Sequence, residues 1–246
     1  MLIMHLTTTH FSRFGSYLSV ALRDGELWLD SLHGRSKGAM GSMRLAPLWQ
    51  GQPIPFVAQA SHTLLTIDTD HGHILAAFDD DLRMIVESDV AGLGLRLDTV
   101  PRYNFEYSYY LESAQVPYCI VNSYKNLSKY LIWSEEGAIS CDFQANIDEA
   151  GSMADSKSVS TIDLSPSGEG RLLAAIEDIP TNMLLPSVLE GGALDAGRGS
   201  QAAFDAFCAS FPQVDDRYVQ TQCDAAYVLW SSTVAPQARW FRTARR

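Results

Sequence analysis

The chain has 246 residues, 46% of them hydrophobic and 19% charged, enough for one large β domain or two smaller ones. Its formal charge is −11, and Arg239, Arg242, Arg245 and Arg246 all fall near the C-terminus, so the body is more acidic still. An acidic body repels phosphate backbones, which argues against nucleic acid as a partner.

The first residues, MLIMHLTTTH, have no positive n-region and only a brief apolar run. They read as neither signal peptide nor membrane span, and no later stretch reaches transmembrane length. The expectation is a cytoplasmic chain without a membrane partner. Cys119, Cys141, Cys208 and Cys223 show no CxxC spacing and read as free thiols. Asn126-Leu127-Ser128 matches a glycosylation acceptor, which has no meaning without export.

In chain order, SYLSVALRDGELWLDSL is a hairpin signal, with two β-type runs around Asp24-Gly25. Residues 35–55 are rich in Gly, Pro and Ser and read as a long loop. Strands then follow closely: TLLTID, HILAAF, LRMIVES, LGLRLD, YNFEYSYYLE, YCIVNS, LSKYLIWS and AISCDFQ, the last two flanking Glu136-Gly137. In YNFEYSYYLE, Tyr103, Phe105, Tyr107 and Tyr109 share one face, a period of two. Residues 144–158 read as a surface connection, and VSTIDLS and RLLAAIED complete the β part. Short strands joined by turn residues point to an antiparallel sandwich.

Near residue 196 the period changes. Phe204, Phe207, Cys208 and Phe211 fall at helical spacing, with Ser200 as the expected cap and Pro212 as the stop. A second helix is expected from Asp215-Asp216, with Val219, Cys223, Ala226, Tyr227 and Trp230 as its stripe. Residues 225–230, AAYVLW, are apolar on every side, so this helix calls for neighbours on every side.

The chemistry-bearing motifs each have a bland reading. His71-Gly72-His73 puts two imidazoles at i and i+2, but Gly72 marks a turn and no further ligand is evident. Asp79-Asp80-Asp81 lacks the spacing of a calcium loop and reads as a turn. Gly92-Leu93-Gly94 alternates as a strand and is not a phosphate loop. There is no nucleophile elbow, and no catalytic residue, metal ligand or cofactor is assigned. Some pair of the many carboxylates could still lie close enough for acid/base work. Trp28, Trp49, Trp133, Tyr227 and Trp230 are candidates for stacking on sugar rings.

Three stretches, DLRMIVESDVAGLGLRLD, YNFEYSYYLE and AAYVLWSSTVAP, together resemble the N-terminal part of glycosidases built on an (α/α)6 barrel. The resemblance is to glycoside hydrolase family 63 and its bacterial relatives, including glucosylglycerate hydrolase-like and amylo-α-1,6-glucosidase-like proteins. It runs from about residue 50 to Pro236 and implies a β-supersandwich followed by two helices that begin the barrel. The implied organisation is a sandwich over 1–180, a linker over 181–199 and a truncated barrel start over 200–246. After Val234-Ala235-Pro236 the family continues with a motif like SKNWM and then WSWDHCFNA, where its catalytic aspartate lies. Here the chain reads QARWFRTARR, as a truncation or shifted frame would. No family catalytic residue therefore carries over. Tyr227 and Trp230 match the first barrel helix and are the implied substrate contacts. The expected function is that of a non-catalytic N-terminal fragment of an α-glycosidase, with a carbohydrate and a helical barrel domain as partners. The alternative is a stand-alone sandwich that binds carbohydrate or docks a separate subunit.

Overall fold

A computed structural model describes residues 10–32, 43–100, 107–112, 115–123, 128–146, 157–168, 170–179 and 185–234. Within them the fold is mainly β. The strands are β1 (Leu18–Arg23), β2 (Glu26–Ser31), β3 (Met43–Trp49), β4 (Gln52–Pro53), β5 (Val57–Ala60), β6 (Leu65–Thr69), β7 (Gly72–Phe78) and β8 (Arg83–Ser88). They continue with β9 (Leu93–Thr99), β10 (Tyr107–Leu111), β11 (Tyr118–Ser123), β12 (Ser128–Glu136), β13 (Ala138–Asn146), β14 (Lys157–Ser165) and β15 (Leu172–Asp178). Two helices follow, α1 (Ala193–Ala209) and α2 (Val219–Ser232).

The strands form two antiparallel sheets. One has seven strands in the order β1-β2-β3-β9-β14-β13, with β4 pairing β3. The other has eight, in the order β10-β11-β12-β15-β8-β7-β6-β5. The sandwich expected from the strand spacing is thus present. The first hairpin has the foreseen turn, with Asp24 at φ 52° and Gly25 at φ 80°, the left-handed pair that a primed turn requires.

The sheets differ in their outer faces, and the sequence shows why. In β9 of the seven-stranded sheet, Leu93, Leu95 and Leu97 enter the core while Arg96 and Asp98 pair with Asp163 and Arg44 outside. In the eight-stranded sheet both faces are apolar. Met84 and Val86 face the other sheet, and Ile85 faces outward; Ala174 and Ile176 face in, and Leu173 and Ala175 out. A strand buried on both faces reads as a continuous apolar run, which is the pattern of RLLAAIED and HILAAF. The outer layer includes Leu189 and α1, whose Ala193 and Ala196 pack with Ala77 and Ile85.

Several expectations are corrected. Residues 43–49, read as part of a loop, are an interior strand paired with β2, β4 and β9. Pro47 is tolerated because β2 pairs only with Met43 to Leu45, so its missing N–H leaves no β2 carbonyl without a donor. Strand β5 was not foreseen either. The chain turns at Glu136-Gly137 between two strands as expected, but β12 and β13 lie in different sheets. Gly137, at φ 113°, carries the chain from one to the other. Helix α1 starts at Ala193, so Ser200 lies inside it and its hydroxyl bonds Phe78 O at 2.6 Å. In the expected second helix, residues 216–218 form a 3-10 turn capped by Asp215, and α2 proper begins at Val219. Tyr103, Phe105, the sequon's Asn126 and the terminal arginines lie outside the described residues.

Candidate functional site

The helix pair gathers both residues singled out for substrate contact. Phe204 of α1 meets Trp230 and Tyr227 of α2 edge-on, at centroid distances of 5.5 and 5.9 Å. Phe207 adds a second edge contact to Trp230 at 5.4 Å, and Phe14 a tilted one at 5.7 Å. Tyr227 is 1% exposed and Trp230 5%, so in this arrangement both rings are interior. Their observed role is packing: they hold α2 onto α1.

A segment without periodic signal completes the arrangement. Residues 10–17 run between the sandwich and α2. Tyr227 Oη accepts from Ser12 N at 3.2 Å, and burial raises the phenol above its ordinary range. Ser231 O lies 2.8 Å from His10 Nε2, and Gly15 N donates to Thr233 O at 2.7 Å. Arg13 donates to Phe78 O and to Ser200 Oγ, at 3.2 and 3.0 Å. His62 lies against Phe204 and Tyr227 at 4.6 and 5.0 Å. Burial lowers its pKa, opposed by Asp224 and Asp205, which favours neutral imidazole.

The opposite side of α2 remains open. Val228 is 49% exposed and Leu229 52%, and Val214, Tyr218 and Val219 nearby are exposed as well. The all-round apolar stretch AAYVLW thus has one side packed and another facing solvent.

Two carboxylate arrangements sit on the outer face of the eight-stranded sheet. Glu87 accepts from the Ala193 amide at 2.6 Å at the start of α1, and pairs with Arg171. A Cβ at Gly192 would meet Glu87 Oε2 and Arg171 Nη2, so the ends of both side chains would have to shift to admit it. The register of β12 shifts between Ser134 and Glu136, and Glu135 accepts from Leu189 N at 2.5 Å. Glu177 on β15 pairs in register with Arg83 on β8. Burial raises its pKa to about 7; Arg83 acts against the shift, and Asp80, Asp79 and Asp178 add to it. Glu87 and Glu135 fasten α1 and the preceding segment to the sheet.

The remaining motif residues have structural surroundings. Asp79 pairs with Arg83, and Asp80 accepts from Leu82 N and Arg83 N at 2.7 and 2.9 Å, so the aspartates form the β7–β8 turn. His71 sits at the β6–β7 hairpin and stacks on Trp49 at 4.0 Å and 3°. Among the described residues no three His, Cys, Asp or Glu side chains group as metal ligands would. Trp133 and Trp28 are buried. Sequence reasoning missed residues 10–17, His62, the Glu87–Arg171 pair and Glu177. None lies in a motif or at a helical or strand period that marks it.

No family model matches the chain, and no curated protein matches it. Among solved structures it is similar to the gh92 family glycosyl hydrolase ccman5, with a TM-score of 0.58 and 10% identity over 90% of this chain and 38% of that one. It also matches a putative kojibiose phosphorylase from human microbiome, with a TM-score of 0.47 and 11% identity over 92% of this chain and 39% of that one. The first likeness establishes the sandwich-and-helices fold. The chain spans about two fifths of the length of either solved protein.

Proposed function

We propose that this chain is the N-terminal, non-catalytic region of a carbohydrate-active enzyme, and that its helix pair is the seat of a helical catalytic domain. The observation that carries the reading is the open side of α2. Val228 and Leu229 lie in the solvent on a helix whose other side is packed with aromatic rings. The resemblance to (α/α)6-barrel glycosidases supplies the occupant, namely further barrel helices packed around α2. Similarity to 38% of a glycosyl hydrolase supports the same proportion between sandwich and remainder.

In this proposal the complete enzyme is an inverting α-glycosidase acting on glucosides or related oligosaccharides. A general acid and a base-activated water would attack from opposite sides of the bond, both supplied by the barrel. Tyr227 and Trp230 support the pocket wall from behind. The test is the nucleotide sequence beyond codon 236, read in every frame. A barrel sequence with SKNWM-like and WSWD-like motifs is expected. The chain joined to it should hydrolyse α-glucosides, while the present chain alone hydrolyses none. Absence of such a sequence, with glycan binding by the isolated chain, would replace this reading with a stand-alone carbohydrate-binding sandwich.

A further inference from the structure

The four cysteines are far apart in sequence, yet the fold gathers them into two pairs. Cys119 of β11 and Cys141 of β13 belong to different sheets and both pack into the core between them. Cys208 of α1 packs against the Phe204–Tyr227–Trp230 cluster, and it and Cys223 of α2 each lie one turn from the Phe204–Tyr227 ring contact, toward the link between the helices. The positions explain the second pair. Phe204 and Cys208 stand at i and i+4 on α1, and Cys223, Tyr227 and Trp230 at i, i+4 and i+7 on α2. The two stripes face each other through the Phe204–Tyr227 and Phe204–Trp230 contacts, which puts Cys208 and Cys223 at matching positions on the facing sides of the two helices.

Access separates the pairs. Cys119 is fully buried in the sandwich core, and its contact with Cys141 together with burial raises its pKa far above the ordinary range. Cys208 and Cys223 are each only partly buried.

We propose that Cys208 and Cys223 form a redox modification site, a vicinal dithiol that a small-molecule disulfide closes into an intramolecular bond tying α1 to α2. The thiolate of one of the two cysteines displaces one thiolate from the small disulfide and forms a mixed disulfide. The other thiol then loses its proton and attacks the protein sulfur of that mixed disulfide, and the second small thiol leaves. Two protein thiols are oxidised, and one disulfide is reduced to two thiols.

The test uses the full chain and oxidised glutathione, and does not depend on the proposed enzymatic role. Free thiols should fall from four to two without unfolding, and the mass should drop by two hydrogens. Trypsin cuts after Arg217, between the two cysteines, so the bond should join the peptide ending at Arg217 to the one beginning at Tyr218. The closed loop constrains the unfolded chain, so the thermal midpoint should rise by about 5 °C and fall back on reduction. Cys208→Ser should trap glutathione on Cys223. Separate adducts on both thiols of the native chain, a Cys119–Cys141 link forming first, or no reaction at all would each overturn the proposal.

Discussion

The hydroxyl of Tyr227 lies 3.2 Å from the amide nitrogen of Ser12, joining residues separated by 215 positions. The same hydroxyl is 3.3 Å from Ser12 O and 3.4 Å from His10 O. One phenol at the C-terminal helix thereby fixes the course of the N-terminal segment. The segment in turn ties α1 to the sandwich through Arg13 and Ser200.

Tyr227→Phe keeps the ring packing but leaves the buried Ser12 amide without this acceptor. The expected loss of stability is about 1–3 kcal/mol in urea denaturation. An unchanged midpoint would mean that the segment is held elsewhere.

Gly192→Ala places a methyl group where Glu87 and Arg171 meet at the start of α1. The ends of the Glu87 and Arg171 side chains must shift, which weakens the ion pair and the bond to the Ala193 amide. A loss of about 1–2 kcal/mol is expected. Gly199→Ala, on the same helix with no atom within 4 Å of its added methyl group, should be neutral or stabilising and serves as the control.

Glu177 makes the folded state more stable at acid than at alkaline pH, as far as its own contribution goes. Its folded-state pKa of about 7 lies above the ordinary 4.5, so the folded chain holds this proton more tightly than the unfolded one. The contribution is complete below about 4.5 and is lost as the pH rises through about 7. Glu177→Gln should therefore gain on the order of 2–3 kcal/mol over the wild type at pH 8, with the gain shrinking toward pH 5. Thermal melts of both chains across that range measure it. A constant difference would contradict the linkage.

The open side of α2 predicts self-association and binding of an apolar fluorescent dye. Leu229→Glu combined with Val228→Glu should weaken both, with stability changed by only about 0.5 kcal/mol per site because both side chains are half exposed. Light scattering and dye titration check it. Undiminished association would place the contact on another surface.

Much of the fold was legible. Asp24-Gly25 foretold the first hairpin because only left-handed backbone closes so short a turn. The alternation in LGLRLD foretold β9 because one of its faces meets salt-bridged side chains and the other the core. Strand β3 was not legible, because Pro47 and the flanking glycines carry a loop signature that the pairing with β9 overrides. The sheet change at Gly137 was equally hidden, since a tight turn reads the same whether its strands pair or part.

The candidate site divides in the same way. The apolar circumference of residues 225–230 was visible, because helical period and composition are local properties of the chain. Which side of that helix is packed and which is open depends on residues 10–17 and on Phe204, far away in sequence. Likewise Glu177 is an unremarkable strand carboxylate until burial and the neighbouring β7–β8 turn raise its pKa. The four cysteines are isolated letters until two sheets and two helices pair them. Periodicity and turn chemistry act over a few residues, and the sequence by itself determined the elements they govern. Burial, electrostatic surroundings and long-range pairing exist only once the layers are stacked, and those the tertiary structure decided.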